Sequence, residues 1–303
     1  MSLEVILTLI ALLAGVAFVV LLYRKRKNER PDAVVIEKLT MDKLLNDVKV
    51  ELADIIKEET SFGKDDEEWE AAYKRKKRLK AAMKNCIYGI EADKIIVKDL
   101  IRDVVKTRLP TEEAIAELID FNGVYVEPMV KWEILMYFLK KKYKKDAMSY
   151  IIKTYGWDRV RYDIEDHTTP HHLVTVEDLE EVYKAEINRP LTYYEQLDIM
   201  ATILFTKYKG FGCIDTLREQ NVDGINIGTS GSIISSFLDV DSDLPKAPRS
   251  IWIYYDGKYI HLDFLTTYTE EEMRRIILLI CMYNNPGSLT EKRGYMVNTM
   301  YDK

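Results

Sequence analysis

Apolar residues recur at helical spacing through the first two thirds of the chain. Leu44, Val48 and Leu52 lie four positions apart, which is the periodicity of an amphipathic helix with one buried face. Thr175 opens a Thr-x-x-Asp sequence, which is typical of the first turn of a helix because its side chains can bond free backbone amides. These patterns predict an all-helical domain over residues 33–190.

The last third of the chain has a shorter hydrophobic period and more glycine, serine and β-branched residues. Two strand-like runs flank Asp256 and Gly257, and an Asp-Gly pair favours a tight hairpin turn because both residues tolerate positive φ angles. An amphipathic helix is predicted over residues 270–283. We therefore predict that residues 191–303 form a small α+β domain in which an antiparallel hairpin packs against this helix. The helix positions expected to face the hairpin are Met273, Ile276, Ile277 and Ile280.

The fold of this second domain is expected to depend on Asp256 and Gly257 at the turn and on Ile277 in the helix. An Ile277→Asp change should unfold the domain, because a lone buried carboxylate costs several kcal/mol. A further strand is expected over residues 295–300, and the chain ends where that strand would turn, as in a truncated domain. Strand alternation places Trp252 and Tyr254 on one face of the hairpin and Ile253 and Tyr255 on the other.

An uncharged apolar run covers residues 5–23. As a helix it would be about 28 Å long, close to the hydrocarbon thickness of about 30 Å. Residues 1–23 are therefore predicted to anchor the chain in the lipid bilayer, and residues 24–32 to form a basic juxtamembrane linker. The basic residues that follow the run are Arg24, Lys25, Arg26 and Lys27.

The position of this basic cluster predicts the orientation of the anchor. Positive residues favour the cytoplasmic side, so we expect a single-pass protein of the cytoplasmic membrane with its N-terminus outside and its bulk in the cytosol. A cleaved signal peptide is the alternative, but it would carry its basic residues before the apolar run.

Charge and cysteine usage exclude several classes of protein. The 303 residues carry a net charge of −6, which argues against a dedicated nucleic-acid-binding protein, because such a protein must neutralise phosphates. Cys86, Cys213 and Cys281 lie far apart without a Cys-x-x-Cys pair, so neither a zinc ribbon nor a disulfide framework is expected. Isolated free cysteines are typical of a reducing compartment.

The sequence offers little recognisable catalytic chemistry. It has no GxxxxGK[ST] loop, so this chain is not expected to hydrolyse ATP, and ATP and Mg²⁺ would be cofactors only of a further ATPase domain. His167, His171 and His172 lie beside three acids and could bind a metal, although Pro170 prevents a helical His-x-x-x-His face. A polar loop between two helices is the alternative interpretation. The basic runs at 74–78 and 140–145 are interpreted as solvated helix faces; contact with anionic lipid headgroups is the alternative for the first.

The order of short phrases in the last third resembles a known family. Lys207-Tyr-Lys-Gly-Phe-Gly-Cys-Ile-Asp-Thr-Leu is followed by Val222-Asp-Gly-Ile-Asn-Ile-Gly, the Asp-Gly hairpin, the 270–283 helix and Tyr295-Met-Val-Asn-Thr-Met. This order resembles the N-terminal region of type II/type IV secretion ATPases, in the tight-adherence pilus branch (CpaF/TadA type). The resemblance covers about residues 192–303. The chain departs from the family pattern at Tyr295, Asn298 and Met300, and Met300 replaces an arginine that senses nucleotide phosphate in the family.

The resemblance implies the non-catalytic assembly and docking portion of a pilus or protein-secretion ATPase-like protein. Its implied partners are other copies of itself in a ring, expected to be a hexamer, and an inner-membrane platform protein. The alternative is a free-standing membrane-anchored adaptor or scaffold without a motor. A P-loop encoded in frame downstream would favour the first hypothesis, and a stop codon would favour the second.

Overall fold

The described part of the chain is mostly helical and contains one small mixed sheet, so its class is α+β. A computed structural model describes residues 39–57, 66–88, 90–162, 170–227, 250–267 and 269–284. The helices are α1 (Met41–Lys57), α2 (Asp66–Asn85), α3 (Glu91–Arg108), α4 (Glu112–Ala116), α5 (Pro128–Tyr143), α6 (Ala147–Tyr155), α7 (Val176–Glu186), α8 (Tyr193–Tyr208), α9 (Asp215–Arg218) and α10 (Glu270–Asn284). The strands are β1 (Arg161–Tyr162), β2 (Pro170–Val174), β3 (Gly224–Ile227), β4 (Ser250–Tyr255) and β5 (Lys258–Thr266).

Threonine side chains begin several of these helices, as their sequences predict. Thr175 and Asp178 form a complete capping box at the start of α7, with each side chain accepting a backbone N–H of the other residue. Thr192 and Glu195 repeat this arrangement at the start of α8. Each box satisfies amides that the helix itself leaves without partners, and so fixes where the helix begins.

Residues 128–155 have a continuous apolar pattern but form two helices. Lys144 has a φ of 57° and ends α5, and a short 3₁₀ turn over Lys144–Asp146 leads into α6. A positive φ is uncommon for a residue with a β-carbon and breaks the helical hydrogen-bond ladder. The apolar pattern continues across this break, and for that reason periodicity alone did not reveal it.

The five strands form one sheet in the order β1-β2-β5-β4-β3. β2 runs parallel to β5, with His172 opposite Ile260, and the other neighbouring strands are antiparallel. β1 and β2 lie within residues 33–190, so the prediction that this segment is all-helical is wrong. One hydrophobic cluster of described residues contains both Leu179 of this segment and Ile253 of the later one.

The hairpin predicted at Asp256 and Gly257 is confirmed. Their φ angles are 49° and 75°, and the flanking Tyr255 and Lys258 are paired across antiparallel strands. Two successive positive φ angles give the turn a twist that matches the twist of the strands. Glycine has no β-carbon and adopts this conformation at no steric cost.

The two faces of the hairpin differ as strand alternation predicts. Ile253 and Ile260 are opposite each other and lie in the hydrophobic core. On the other face, the rings of Trp252 and His261 stack with their centroids 4.4 Å apart. Cross-strand aromatic pairs of this kind stabilise a sheet beyond the burial of area alone.

The buried face of α10 differs from the predicted one, most clearly at Ile277. Ile276 is fully buried in the core, whereas Ile277 is 44% exposed, so the prediction that Ile277 packs against the hairpin is wrong. Successive helix residues point about 100° apart, and the inward face is centred on Ile276 rather than between the two. The Ile276 side chain packs closely against the backbone of Gly212. A β-carbon at position 212 would lie 2.7 Å from Ile276 Cδ1, so a glycine is needed there.

The predicted transmembrane helix is contradicted, and so is the single-pass membrane localisation that rested on it. Among the described residues, no helix is both long and apolar enough to cross a bilayer. The longest, α2, carries the basic run 74–78, and charged side chains of this kind are costly in hydrocarbon. The predicted span at 5–23, its flanking residues 24–27 and the strand predicted at 295–300 lie outside the described residues.

We expect Ile276→Asp to destabilise the protein by several kcal/mol, because it places an unpaired carboxylate in the core. Ile277→Asp is the matched control and should change the free energy of unfolding by less than about 0.5 kcal/mol, because its side chain meets water. Urea unfolding followed by circular dichroism measures both changes. Equal effects of the two variants would contradict the packing of α10 described above.

Candidate functional site

The residues singled out in the sequence do not form a site in the structure. Asp256 and Gly257 shape the hairpin turn, and Ile277 lies on the surface of α10. His171 and His172 are consecutive residues of β2. His167 lies outside the described residues, within which no group of three metal-ligating side chains occurs.

A buried ion network lies at the centre of the described structure. Lys94 of α3 is 2% exposed, and its Nζ donates a hydrogen bond of 3.1 Å to Asp215 Oδ2 at the start of α9. The same Nζ also bonds Glu219, which in turn pairs with Lys140 of α5. The network therefore joins α3 and α5 to the chain segment that follows α8.

The Gly-Phe-Gly-Cys-Ile-Asp phrase builds the anionic end of this network. Gly212 has a φ of 56° and turns the chain back, so that Asp215 Oδ1 accepts the backbone N–H of Phe211 at 3.0 Å. Gly210 lies against this carboxylate with no room for a β-carbon. The guanidinium of Arg218 stacks 3.6 Å above the Phe211 ring. The turn thus fixes both oxygens of Asp215, one on backbone and one on Lys94.

Burial and opposite charge compete in setting the pKa values of the network. Burial alone would lower the pKa of Lys94, but the carboxylates of Asp215 and Glu219 outweigh it and raise that pKa. Burial alone would raise the pKa of Asp215 and that of Glu219, but the neighbouring lysines lower both. The network is therefore fully ionised at neutral pH.

A pocket of about 640 Å³ opens beside this network. Its walls come from α3, α5, α8, the segment 216–220 and the edge strand β3. The lining contains seven cations and three carboxylates, which is an excess of four positive charges in a chain whose net charge is −6. The cations are Lys94, Lys98, Lys140, Lys141, Lys144, Lys145 and Arg218, and the carboxylates are Glu91, Glu133 and Glu219.

Four of these lysines form no ion pair within the described part of the chain. Lys98 of α3 is half-buried, and its Nζ lies 5.3 Å from the centre of the Phe205 ring. Burial lowers the pKa of Lys98, although the nearby carboxylate of Glu219 opposes this effect. Lys141, Lys144 and Lys145 are exposed at the rim, where the turn that ends α5 places them.

Glu133 is a carboxyl group of the pocket lining that hydrogen-bonds a hydroxyl group rather than a lysine. Thr216 Oγ1 donates to its two oxygens at 3.0 and 3.3 Å. Burial raises the pKa of Glu133 to about 7, against the weaker opposing effects of this hydrogen bond and of Lys140 and Lys98. Its charge therefore changes near neutral pH, which is common for carboxyl groups in functional sites.

Gln220 supplies an unused hydrogen-bond donor in the pocket wall. The residue is 2% exposed, and its Oε1 accepts the backbone N–H of Met148 at 3.1 Å, which fixes the orientation of the amide. Its buried Nε2 has no partner among the described residues. A buried donor without an acceptor is rare in native structures and calls for an explanation.

Sequence reasoning interpreted residues 140–145 as a solvated helix face and did not find this site. One signal was present: Lys94 occupies an inward helical position, three and seven residues before Val97 and Ile101, which are both fully buried. A lysine at such a position requires a buried counter-ion. Its partners Asp215 and Glu219 are more than 120 residues away in sequence, so spacing could not identify them.

Comparisons with known proteins add no relative: no family model matches the chain, and no match was found among curated proteins or solved structures. The resemblance of residues 192–303 to secretion ATPases therefore stays a prediction from the order of sequence phrases.

We expect Lys94→Met to destabilise the protein by about 3–5 kcal/mol, because it leaves the buried carboxylate of Asp215 without its cation. Lys74→Met is the control; it removes an ion pair with Glu70 whose side chains are 72% and 60% exposed and should cost at most about 1 kcal/mol. Chemical denaturation of the variants measures the difference. Lys94→Met combined with Asp215→Asn should recover much of the loss, and failure to do so would contradict the assigned pairing.

Glu133 should make stability depend on pH in a defined direction. The pKa of Glu133 is raised from its ordinary value of 4.5 to about 7 in the folded chain. The folded chain therefore binds the proton more tightly than the unfolded chain, and protonation of Glu133 favours folding. That contribution is fully present below pH 4.5 and is lost as the pH rises through about 7. Glu133→Gln should remove this loss, leaving the variant more stable than wild type by up to about 3 kcal/mol at pH 8. Urea titrations between pH 4.5 and pH 8 test this; parallel profiles for both proteins would contradict it.

Proposed function

We propose that this chain is a non-catalytic binding module whose cationic pocket holds a phosphate-bearing ligand. The observation that carries the proposal is the convergence of Lys98, Lys141, Lys144 and Lys145 on one concavity without described counter-ions. A bound anion would supply the missing negative charge.

The position of these lysines distinguishes the pocket from an ordinary solvated surface. Lys98 projects from α3, while Lys141, Lys144 and Lys145 belong to the end of α5 and the turn after it. Positive charges that face one another across a cleft repel unless an anion lies between them, and such clefts focus the field. Lysine ammonium groups bind phosphate oxygens as compact point charges.

The size and polarity of the pocket also favour an anionic ligand. A volume of about 640 Å³ lies in the range of small-molecule sites, about 300–1,000 Å³, and exceeds the size of a single inorganic phosphate. Of the twenty lining residues only Met136, Ile199, Val222 and Ile225 are purely apolar. A mainly hydrophobic ligand would therefore leave the charged groups of the lining without a partner.

We propose binding rather than nucleotide hydrolysis because the pocket is built without a phosphate loop. The sequence has no GxxxxGK[ST] phrase, whose backbone amides, lysine and hydroxyl act together on a triphosphate and its magnesium. In this pocket the phosphate-binding groups would be side-chain ammonium ions from separate elements, an arrangement suited to recognition.

The second candidate is the assembly and docking role predicted from the resemblance to pilus and secretion ATPases. It is favoured by the order of elements, since α8, the Gly-Phe-Gly turn, β3, the hairpin and α10 follow one another as in the predicted pattern. In this role the partners would be other copies of the chain, arranged in a ring, and a platform protein. The alternative to this role is a free-standing scaffold. The phosphate-bearing ligand and a docking role are compatible.

Pyrophosphate should bind the purified full chain and raise its melting temperature by several degrees at low ionic strength, because it supplies the missing counter-charge. Lys144→Gln and Lys98→Gln should each weaken the affinity at least fivefold, while the exposed Lys153→Gln on α6 leaves it unchanged. Isothermal titration calorimetry at two salt concentrations measures these effects, and binding should weaken at high salt. No heat and no thermal shift in the wild type would overturn the proposal.

A further inference from the structure

The pocket carries hydrogen-bonding groups that a phosphate alone would not use. Gln220 lines the cavity and its Nε2 is a buried donor without a described partner, so an oxygen acceptor of a ligand would satisfy it. Thr202 lines the same cavity, and its hydroxyl already donates to the carbonyl of Asp198, which leaves it able to accept a hydrogen bond. The ligand is thus expected to present both an oxygen acceptor and a hydroxyl donor.

Glu133 limits the chemical class of the ligand more strongly than Gln220 or Thr202, because a carboxylate in an anion site repels phosphate. Its carboxyl group lies close enough to Lys140 and Lys98 for both to affect its pKa. A phosphate held by these lysines would therefore have a carboxylate beside it. A hydroxyl group adjacent to that phosphate would remove the conflict by donating a hydrogen bond to Glu133.

The pocket places cationic groups next to carboxyl groups. A small molecule with phosphate groups next to hydroxyl groups would match this arrangement. We propose that the ligand is a phosphorylated polyol or sugar, whose phosphates bind the lysines and whose hydroxyl groups bond Glu133 and Gln220. This inference rests on the proposed function, since it names the ligand class of the same pocket. Adjacent phosphate and hydroxyl groups on a carbon chain supply both kinds of partner within a few ångströms.

The aromatic residues of the site do not favour a nucleotide. In the pocket lining, the Tyr137 ring is covered by Lys141 Nζ at 3.7 Å. Outside the lining, Lys98 Nζ covers the Phe205 ring and Arg218 covers the Phe211 ring. Of the aromatic residues that line the described pocket, Tyr88 is left at the rim with a side chain that is 36% exposed. Base stacking needs an open ring face, so these cations leave little room for it.

Two matched probes separate hydroxyl recognition from charge. Mannitol 1,6-bisphosphate and hexane-1,6-diol bisphosphate carry the same two phosphates on six carbons, but only the first has free hydroxyl groups. At pH 8, calorimetry on the full chain should give mannitol 1,6-bisphosphate an affinity at least tenfold higher. Glu133→Leu should reduce this advantage to less than threefold, without weakening hexane-1,6-diol bisphosphate. Lys144→Gln is the control variant and should weaken both probes by the same factor.

The outcomes distinguish this inference from the proposed function. Equal affinities of the two bisphosphates for the wild type would overturn the polyol assignment and leave phosphate binding in place. Failure of both probes and of pyrophosphate to bind would overturn the proposed function itself. Tighter binding of adenosine monophosphate than of mannitol 1,6-bisphosphate would overturn the polyol assignment in favour of a nucleotide.

Discussion

The ion pair between Lys94 and Asp215 is the interaction on which the centre of this structure depends. Both side chains are 2% exposed, so neither charge has water as a substitute partner. Removing two charges from water costs several kcal/mol per ion, and only close pairing with further hydrogen bonds can compensate. Asp215 meets this condition through the Phe211 amide, and Lys94 meets it through Glu219. The pair therefore specifies how α3 and the turn after α8 must meet.

The buried ion network shapes the pocket as well as the core. Glu219 is held between Lys94 and Lys140, which brings α5 towards α3 and places its C-terminal lysines around the opening. Glu219 is bonded on both sides and forms no ion pair with Lys98 or with the rim lysines. The excess of positive charge is thus a consequence of how the buried network distributes its carboxylates.

The parts of this fold that the sequence predicts are those set by residues close together in the chain. The Asp256-Gly257 turn and the Thr175 cap depend on neighbours within three residues, and they are present. The parallel pairing of β2 with β5 joins residues nearly 90 positions apart, and a short Pro-His-His-Leu-Val run carries no local sign of it. For the same reason the site was missed, because its charges are brought together from α3, α5 and α9. The prediction that Ile277 is buried was wrong for a different reason. Hydrophobic periodicity locates the buried face of a helix only to within about one residue, and that face is centred on the neighbouring Ile276.

Glu133 shows that this pocket is maintained against a stability cost. A carboxyl group whose pKa is raised to about 7 by burial destabilises the folded chain whenever it is ionised. Glutamine would keep the bond from Thr216 without that cost, and a methionine would fill the space. The unused Nε2 of Gln220 is a second cost of the same kind, because burial has removed its water without supplying an acceptor. Two groups that cost stability in one cationic cavity are explained if a ligand with oxygen acceptors and hydroxyl donors bonds them when it binds, since local conflicts with stability concentrate at functional sites.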